Sequence, residues 1–170
     1  MREKGVDVLL RAVANLHGDW RLRLLGAGPE SGRLRRLTAQ LRLSERVCFE
    51  PQIPSGQMPE FYATIDLLVL PSRHVRNWTE QFGRVLIEAM ACGVPVIGSR
   101  CGEIPNVIGD AGLIFPEGDA EALRMQIARV MNDEALRDQL RAHGRARTLE
   151  QFTQAGVAQR TVEVYKKMMV

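Results

Sequence analysis

Aromatic side chains are scarce in this sequence, and so are clusters of positive charge. Phe, Trp and Tyr together make up 5% of the 170 residues, and the formal net charge is only +3. Surfaces that bind nucleic acid combine runs of Lys and Arg with aromatic side chains that stack on bases. The sequence has neither feature, so it argues against a nucleic-acid partner, and its small positive charge is compatible with an anionic small ligand.

Cysteine is also sparse, and no metal-ligand spacing is present. The three cysteines, Cys48, Cys92 and Cys101, are scattered and form no Cys-x-x-Cys or Cys/His pattern. This argues against a disulfide framework or a zinc site. We expect reduced thiols that pack as small core residues in a cytoplasmic protein.

No apolar run approaches the ~18 residues that a membrane-spanning helix needs. We therefore expect no transmembrane segment, while peripheral association of a longer parent protein with a membrane stays open.

Helical and strand patterns alternate along the whole sequence. Alternating elements are typical of a parallel sheet with helices on both faces. The sequence therefore predicts an α/β fold, with a Rossmann-like parallel sheet sandwiched by helices, in a single domain spanning 1–170. The predicted helices are 6–16, 29–41, 55–65 and 82–92, with two more that Asp119 and Asp133 begin and a C-terminal helix at 153–170. The predicted strands are 20–25, 46–50, 67–70, 94–98 and 112–115.

One element of this pattern is missing at the start. A helix is a poor first element for such a sheet, and Lys4-Gly5 is typical of the end of a loop that follows a strand. We therefore expect the sequence to be the second half of a longer protein, with the first strand and an N-terminal domain absent.

Residues 79–99 carry the most specific chemical pattern. Glu80 and Glu88 lie on either side of Gly83, which begins an apolar helix. Free amides at a helix start attract an anion such as a diphosphate. Carboxylates on either side accept hydrogen bonds from hydroxyl groups. A nucleotide sugar has this layout of ribose, diphosphate and sugar.

A glycine-rich turn follows the first predicted strand. Gly26 and Gly28 permit a tight turn and a close approach to a ligand, and Pro29 is suited to the first position of the next helix. By itself this turn is a weak signal of phosphate binding. Ser55 is predicted to cap a later helix.

Seven segments in a fixed order together resemble one known family. The chain is similar to the C-terminal, nucleotide-sugar-binding domain of the group 1 (family 4) retaining glycosyltransferases. The resemblance implies one half of a GT-B architecture, in which two Rossmann-like domains face each other. The matching segments are EKGVD (3–7), GAGPE (26–30), RVCF (46–49), DLLVLPS (66–72), EQFG (80–83), EAMACGVPVI (88–97) and GLIFP (112–116).

The resemblance implies a role for each matching residue. Glu80 would contact the donor sugar near the reacting carbon, and Glu88 would hold the ribose hydroxyls. Lys4 would pair with the diphosphate, so that Glu80 and Lys4 are the candidate catalytic residues. The remaining donor-binding candidates are Phe82, Gly83, Arg84, Val85 and Leu86 at the helix start, Gly26 and Gly28 in the glycine turn, and Ile53 beside the base.

Arg84 has a second interpretation. At four-residue spacing it is suited to a salt bridge with Glu80 or Glu88, and this structural role is the favoured one.

The sequence also departs from the family pattern. Gln81 stands where a glycine is common, Phe49 is followed by Glu50-Pro51 instead of x-Gly, and Gly102 is followed by Glu103 instead of a second glycine. No Asp-x-Asp occurs, so we expect no metal and no other cofactor, with the positive potential supplied by Lys4 and the helix amides.

The resemblance implies transfer of a sugar from a nucleotide diphosphate to an acceptor hydroxyl, with retention of anomeric configuration. The acceptor, a saccharide, lipid or other hydroxyl compound, would bind mainly to the absent N-terminal domain, so this chain alone is expected to be inactive. The alternatives are a nucleotide-sugar epimerase, a phosphorylase, or a non-catalytic module that binds a nucleotide.

Overall fold

The computed structural model describes residues 2–169, which form eight α-helices and five β-strands. Helices and strands alternate as far as the last strand, and three consecutive helices follow it. The strands are β1 (Leu22–Leu25), β2 (Val47–Glu50), β3 (Leu68–Leu70), β4 (Val96–Ser99) and β5 (Leu113–Phe115). The helices are α1 (Val6–Ala14), α2 (Ser31–Gln40), α3 (Met58–Tyr62), α4 (Arg84–Ala91), α5 (Ile104–Ile108), α6 (Ala120–Asn132), α7 (Glu134–Gln151) and α8 (Gln154–Met168).

Every strand pair is parallel, which confirms the predicted α/β class. The strands form two sections, one with the order β1-β2 and the other with the order β3-β4-β5. β4 is buried at all four positions, as expected for a strand with neighbours on both edges and helices on both faces. The residues of β3 are half-buried.

Two apolar clusters hold the helices against the strands. One cluster combines α1 and α6 with β1, β2 and the inner side of β4 and β5, and it includes Leu10, Ile97 and Phe115, none of which is exposed. The other packs α4 and α5 against β3 and β4 around Leu86 and Ile104. Apolar clusters on both sides of the strands confirm the predicted sandwich.

Three predicted helix starts are two or three residues too early, and one of them is that of α4, which begins at Arg84 and not at residue 82. α2 begins at Ser31, because Pro29 and Glu30 form a turn that the Ser31 N–H closes by donating to Gly28 O at 3.0 Å. Ser55 does not cap α3. It opens a short 3-10 turn, Ser55–Gln57, and α3 begins only at Met58.

The C-terminal helices begin at the predicted caps. The Asp119, Asp133 and Thr153 side chains accept hydrogen bonds from the backbone N–H three residues later. The last of these helices, α8, extends through Met168, and its predicted end at residue 170 lies outside the described residues.

The cysteines differ from expectation in their burial. Cys101 is buried, but Cys48 and Cys92 are exposed, so the prediction of three core residues is wrong for two of them. All three are free thiols.

Candidate functional site

The start of α4 presents backbone amides that have no hydrogen-bond partner in the part of the chain that the structure describes. Gly83 precedes the helix with φ at 73°, a left-handed conformation that glycine adopts without strain. The Leu86 N–H donates to Gly83 O at 2.8 Å. Within residues 2–169, the N–H groups of Gly83, Arg84 and Val85 have no hydrogen-bond acceptor. These three amides, at the positive end of the helix dipole, form a site suited to an anion.

Glu80 lies beside this helix start and is held by two side chains. Lys4 Nζ donates to Glu80 Oε2 at 2.9 Å, and Ser72 Oγ donates to the same oxygen at 3.1 Å. The Glu80 side chain is only 13% exposed. Lys4 Nζ also lies 4.5 Å from the centre of the Trp78 ring. The structure therefore brings together both predicted catalytic residues, and it orients the carboxylate through contacts far apart in sequence.

Glu88 is oriented from two sides. The Tyr62 hydroxyl donates to Glu88 Oε2 at 2.9 Å, and Arg84 Nε lies 3.0 Å from Glu88 Oε1. The predicted ion pair of Arg84 is therefore formed with Glu88, one turn further along α4. Arg84 is exposed, so this pair is screened and contributes little to stability. The ion pair with Arg84 instead fixes the orientation of Glu88 Oε1.

Burial and the hydrogen bond to Glu88 both raise the pKa of the Tyr62 hydroxyl. Ionisation of this group would place a phenolate in the core beside a carboxylate. The hydroxyl therefore remains a donor at neutral pH and fixes the position of Glu88.

A cavity of about 1060 Å³ opens at this edge of the sheet. Its lining includes most of the predicted site residues: Lys4, Gly26, Gly28, Glu80, Gly83, Arg84 and Val85. A Cβ atom at Gly26 or Gly28 would meet no protein atom within 4 Å, so the glycine turn leaves free space for a ligand. A recess of about 550 Å³ adjoins this cavity, shares Lys4 and Glu80 with it, and is also lined by Trp78.

Four predicted residues are not part of the cavity lining. Phe82 is 42% exposed and packs edge-on against Phe152, with ring centres 5.8 Å apart. Leu86 is fully buried, and its amide is already bonded to Gly83, so it has no free donor. Ile53 is half-buried in the loop after β2. Glu88 does not line the cavity itself but contacts two residues that do, Tyr62 and Arg84.

Sequence reasoning missed Tyr62 and Ser72 as positioning residues. The apolar face of the helix around Tyr62 indicated only a core residue. A buried tyrosine hydroxyl usually has a polar partner, so a tyrosine on an apolar helix face could have indicated a hydrogen bond to a polar residue elsewhere in the chain. Ser72 follows β3 directly, at the edge where ligands bind in parallel sheets.

Within residues 2–169 we find no group of three or more His, Cys, Asp or Glu side chains that could hold a metal ion. None of the helices in this range combines the length and apolar character that crossing a bilayer requires.

The Tyr62 hydroxyl gives a testable pH dependence. Its folded-state pKa is raised, so its contribution to stability is complete below the ordinary tyrosine pKa of about 10 and is lost as pH rises above that value. We expect the wild type to lose more unfolding free energy than Tyr62→Phe between about pH 8 and pH 10.5. Urea titrations at the two pH values measure this difference, and equal losses in both proteins would contradict it.

The fold and the site together define a class of protein: a parallel α/β domain in which the start of one helix is suited to an anion and has an acidic residue on either side of it in the sequence. The family described as glycosyl transferases group 1 matches residues 1–147. The chain belongs to this family, as its resemblance predicted.

Two curated relatives are longer than this chain. It is 36% identical to N-acetyl-alpha-D-glucosaminyl L-malate synthase of Bacillus anthracis over 166 residues, which cover 95% of this chain and 42% of that protein. It is 33% identical to D-inositol 3-phosphate glycosyltransferase of Streptomyces bingchenggensis, covering 98% of this chain and 38% of that protein. The chain thus spans less than half of either relative.

Solved structures support the same fold. Sucrose-phosphate synthase from Thermosynechococcus elongatus superposes with a TM-score of 0.85 at 31% identity, over 99% of this chain and 43% of that chain. HepE from Anabaena, in complex with UDP, superposes with a TM-score of 0.87 at 24% identity, over 98% of this chain and 46% of that chain. The neighbours are glycosyltransferases of the GT-B type, so the predicted fold is confirmed.

Proposed function

We propose that this chain is the donor-binding half of a retaining glycosyltransferase. The parent enzyme would move a sugar from a nucleoside diphosphate sugar to an acceptor hydroxyl, and this half alone would bind the donor without transferring it. One observation carries the proposal. The amides of residues 83–85, which have no partner within residues 2–169, lie between Glu80 and Glu88 in the sequence, and each of these carboxylates is oriented by its own hydrogen bonds.

The positive groups suit the leaving diphosphate. Negative charge grows on the diphosphate as its bond to the sugar breaks. The amides of Gly83, Arg84 and Val85 would accept this charge, together with Lys4. Lys4 has three N–H donors, so it can keep Glu80 and still reach a phosphate oxygen. Preorganised donors of this kind contribute about 2.7–4 kcal/mol each to transition-state stabilisation in well-studied oxyanion sites.

Glu80 has the geometry of a sugar-binding group. Lys4 and Ser72 both use Oε2, so Oε1 has no partner among residues 2–169 and can accept a sugar hydroxyl. In the proposed reaction the acceptor oxygen bonds to the anomeric carbon on the face that the diphosphate leaves, and the diphosphate takes the acceptor proton. No side-chain base and no metal are needed in this scheme.

Structures of a related fold support the choice of ligand. HepE from Anabaena has been solved with UDP and with UDP-glucose. One relative, from Mycolicibacterium smegmatis, is described as a GDP-mannose-dependent mannosyltransferase. These names make UDP-glucose and GDP-mannose the appropriate first ligands. We further propose that the parent acts in the cytoplasm on a saccharide, lipid or other hydroxyl acceptor held by a second domain.

Calorimetry with UDP and UDP-glucose, and with GDP and GDP-mannose, tests the proposal. Hydrogen bonds to charged groups are worth about 1.5–3 kcal/mol, so Glu88→Gln should weaken binding of the nucleotide and of its sugar conjugate alike, by about 10- to 100-fold. Glu80→Gln should weaken only the sugar nucleotide, because it leaves Lys4 free to bind phosphate.

The exposed Glu134 of α7 lines neither cavity, so Glu134→Gln is the matched control and should bind like the wild type. If Glu88→Gln binds every nucleotide as tightly as the control does, the ribose assignment is wrong. If no nucleotide sugar binds the wild type, the proposed function is wrong.

A further inference from the structure

The segment between β3 and α4 contains a short hairpin, residues 73–79, with unused polar groups at its tip. The Val75 and Trp78 backbones exchange two hydrogen bonds, at 3.0 and 2.9 Å, so Arg76 and Asn77 form the turn. Four exposed side chains in and beside this hairpin make no hydrogen bond or ion pair with any residue from 2 to 169: those of His74, Arg76, Asn77 and Gln81.

The base of the hairpin is fixed at both ends, in contrast to its tip. At one end the Arg73 N–H donates to Glu3 O at 2.8 Å. At the other end Thr79 Oγ1 lies 3.6 Å from Cys101 Sγ, in the loop after β4. A ligand that binds against a loop held in this way does not have to order it first, so less affinity is lost.

The recess of about 550 Å³ lies against this hairpin. Residues 74 and 76–79 line it, together with Lys4, Glu80 and Gln81. Lys4 and Glu80 also line the larger cavity, whereas residues 83–85 line the larger cavity alone. The recess therefore meets the larger cavity at the Lys4–Glu80 ion pair, and it does not include the amides at the start of α4.

The lining of the recess combines a broad aromatic surface with unpaired hydrogen-bonding groups. Trp78 is half-buried and supplies the aromatic surface. The side-chain amides of Asn77 and Gln81 can each donate and accept, and Arg76 can donate. A sugar ring has the matching surfaces, a face of C–H groups and a rim of hydroxyl groups that donate and accept. The volume also lies within the range of small-molecule sites, roughly 300–1,000 Å³.

Other classes of ligand fit this lining less well. A lipid chain needs an apolar lining, and Trp78 is the only large apolar side chain that lines the recess. A multiply charged anion needs several unpaired cations. Of the Lys and Arg side chains in the lining, Lys4 is paired with Glu80, and only Arg76 has no carboxylate partner within residues 2–169.

We propose that the recess binds the acceptor, and that this acceptor is a saccharide. Its ring packs on Trp78, and its hydroxyl groups bond to Asn77 and Gln81. The inference rests on the proposed function, because it names the class of molecule that receives the sugar. It adds a contact in this domain to those that the second domain would make.

The position of the recess suits this role. A saccharide in it lies beside Glu80, which contacts the donor sugar in the proposed function. Holding the two reactants side by side favours their reaction. An acceptor hydroxyl oxygen then bonds to the anomeric carbon as the bond to the diphosphate breaks, and the hydroxyl proton passes to the diphosphate.

The indole N–H groups report on this site in the intact chain. The sequence has two tryptophans, and NMR spectroscopy gives an indole N–H signal for each. Trp78 lines the recess, whereas Trp20 does not and donates its indole N–H to Leu16 O at 3.0 Å, so Trp20 is an internal reference. The chain is titrated without nucleotide, with methyl glucoside, methyl galactoside and methyl mannoside, and separately with inorganic phosphate.

We expect at least one saccharide to shift the Trp78 signal to saturation and to leave the Trp20 signal in place. Asn77→Ala and Gln81→Ala each remove a hydrogen bond, and each should raise the saccharide Kd by about 2- to 10-fold. The exposed Gln139 of α7 lines neither cavity, so Gln139→Ala is the matched control and should bind like the wild type.

The proposal is overturned if no saccharide moves the Trp78 signal, if only phosphate moves it, or if the variants bind as tightly as the control. It is also overturned if UDP-glucose displaces the saccharide, because the saccharide would then have occupied the place of the donor sugar. The titration contains no nucleotide. A chain that bound no nucleotide sugar would therefore contradict the proposed function without changing the saccharide result.

Discussion

Replacing Gly102 with alanine should displace Glu80 and destabilise the domain. Gly102 has φ at 54°, and an added Cβ atom would lie 2.0 Å from Glu80 O and 2.9 Å from Thr79 Oγ1. The next residue, Glu103, donates its N–H to the same carbonyl oxygen at 3.0 Å. The loop after β4 therefore supports the backbone of Glu80, and it can do so only with a glycine at this position.

Two penalties combine in Gly102→Ala. A left-handed conformation costs an L-residue roughly 1–2 kcal/mol, and overpacking costs typically 1–3 kcal/mol. We expect the free energy of unfolding to fall by about 2–5 kcal/mol in total. Because the clash is with backbone, Glu80 must shift, and binding of a sugar nucleotide should weaken more than binding of the nucleotide alone.

Gly118→Ala separates these penalties. Gly118 has φ at 78°, but an added Cβ atom there meets nothing within 4 Å. The free energy of unfolding of Gly118→Ala should fall only by the cost of the left-handed conformation, about 1–2 kcal/mol. Its ligand binding should equal that of the wild type. Urea unfolding and calorimetry of the two variants provide the comparison. Equal loss of stability in both would show that the contact with Glu80 is unimportant.

Replacing Gly5 with alanine should have the second large effect. Gly5 precedes α1 with φ at 62°, and an added Cβ atom would lie 1.8 Å from Pro71 O and 2.8 Å from Pro71 C. This contact joins the start of α1 to the loop after β3, next to Lys4. We expect a loss of unfolding free energy of about 2–5 kcal/mol and weaker binding of diphosphates, since Lys4 would move away from Glu80.

The control for this variant is Gly93→Ala, with φ at 73° and open space around the added atom. Thermal or urea unfolding gives the stability, and UDP titration gives the binding. If Gly5→Ala is no less stable than Gly93→Ala, the close approach of Gly5 to Pro71 does not determine the position of α1.

Local chemistry explains what the sequence predicted well. Asp119, Asp133 and Thr153 begin helices because a side-chain oxygen a few residues away satisfies a free amide. The alternation of helical and strand patterns gave the parallel α/β class for a similar reason, since each pattern is local. These features require no knowledge of which distant residues meet.

The errors arise where distant contacts decide the structure. Tyr62 and Glu88 are 26 residues apart, and Lys4 and Glu80 are 76 residues apart, so neither pairing has a local signal. α5 was not predicted because it is short, with Pro105 in its first turn. Leu86 is a predicted donor-binding residue at the start of α4, but the tight first turn of this helix uses its amide.

The contact between Lys4 and Glu80 also bears on how a ligand finds the site. At 2.9 Å the two opposite charges largely cancel, so little field from them extends beyond a few ångströms into solvent. This ion pair therefore attracts an anion only weakly over long distances. Binding would depend on the backbone amides at the start of α4, whose dipoles act at short range. In the proposed function, such a site would therefore select its ligand by shape and hydrogen bonding and not by long-range charge attraction.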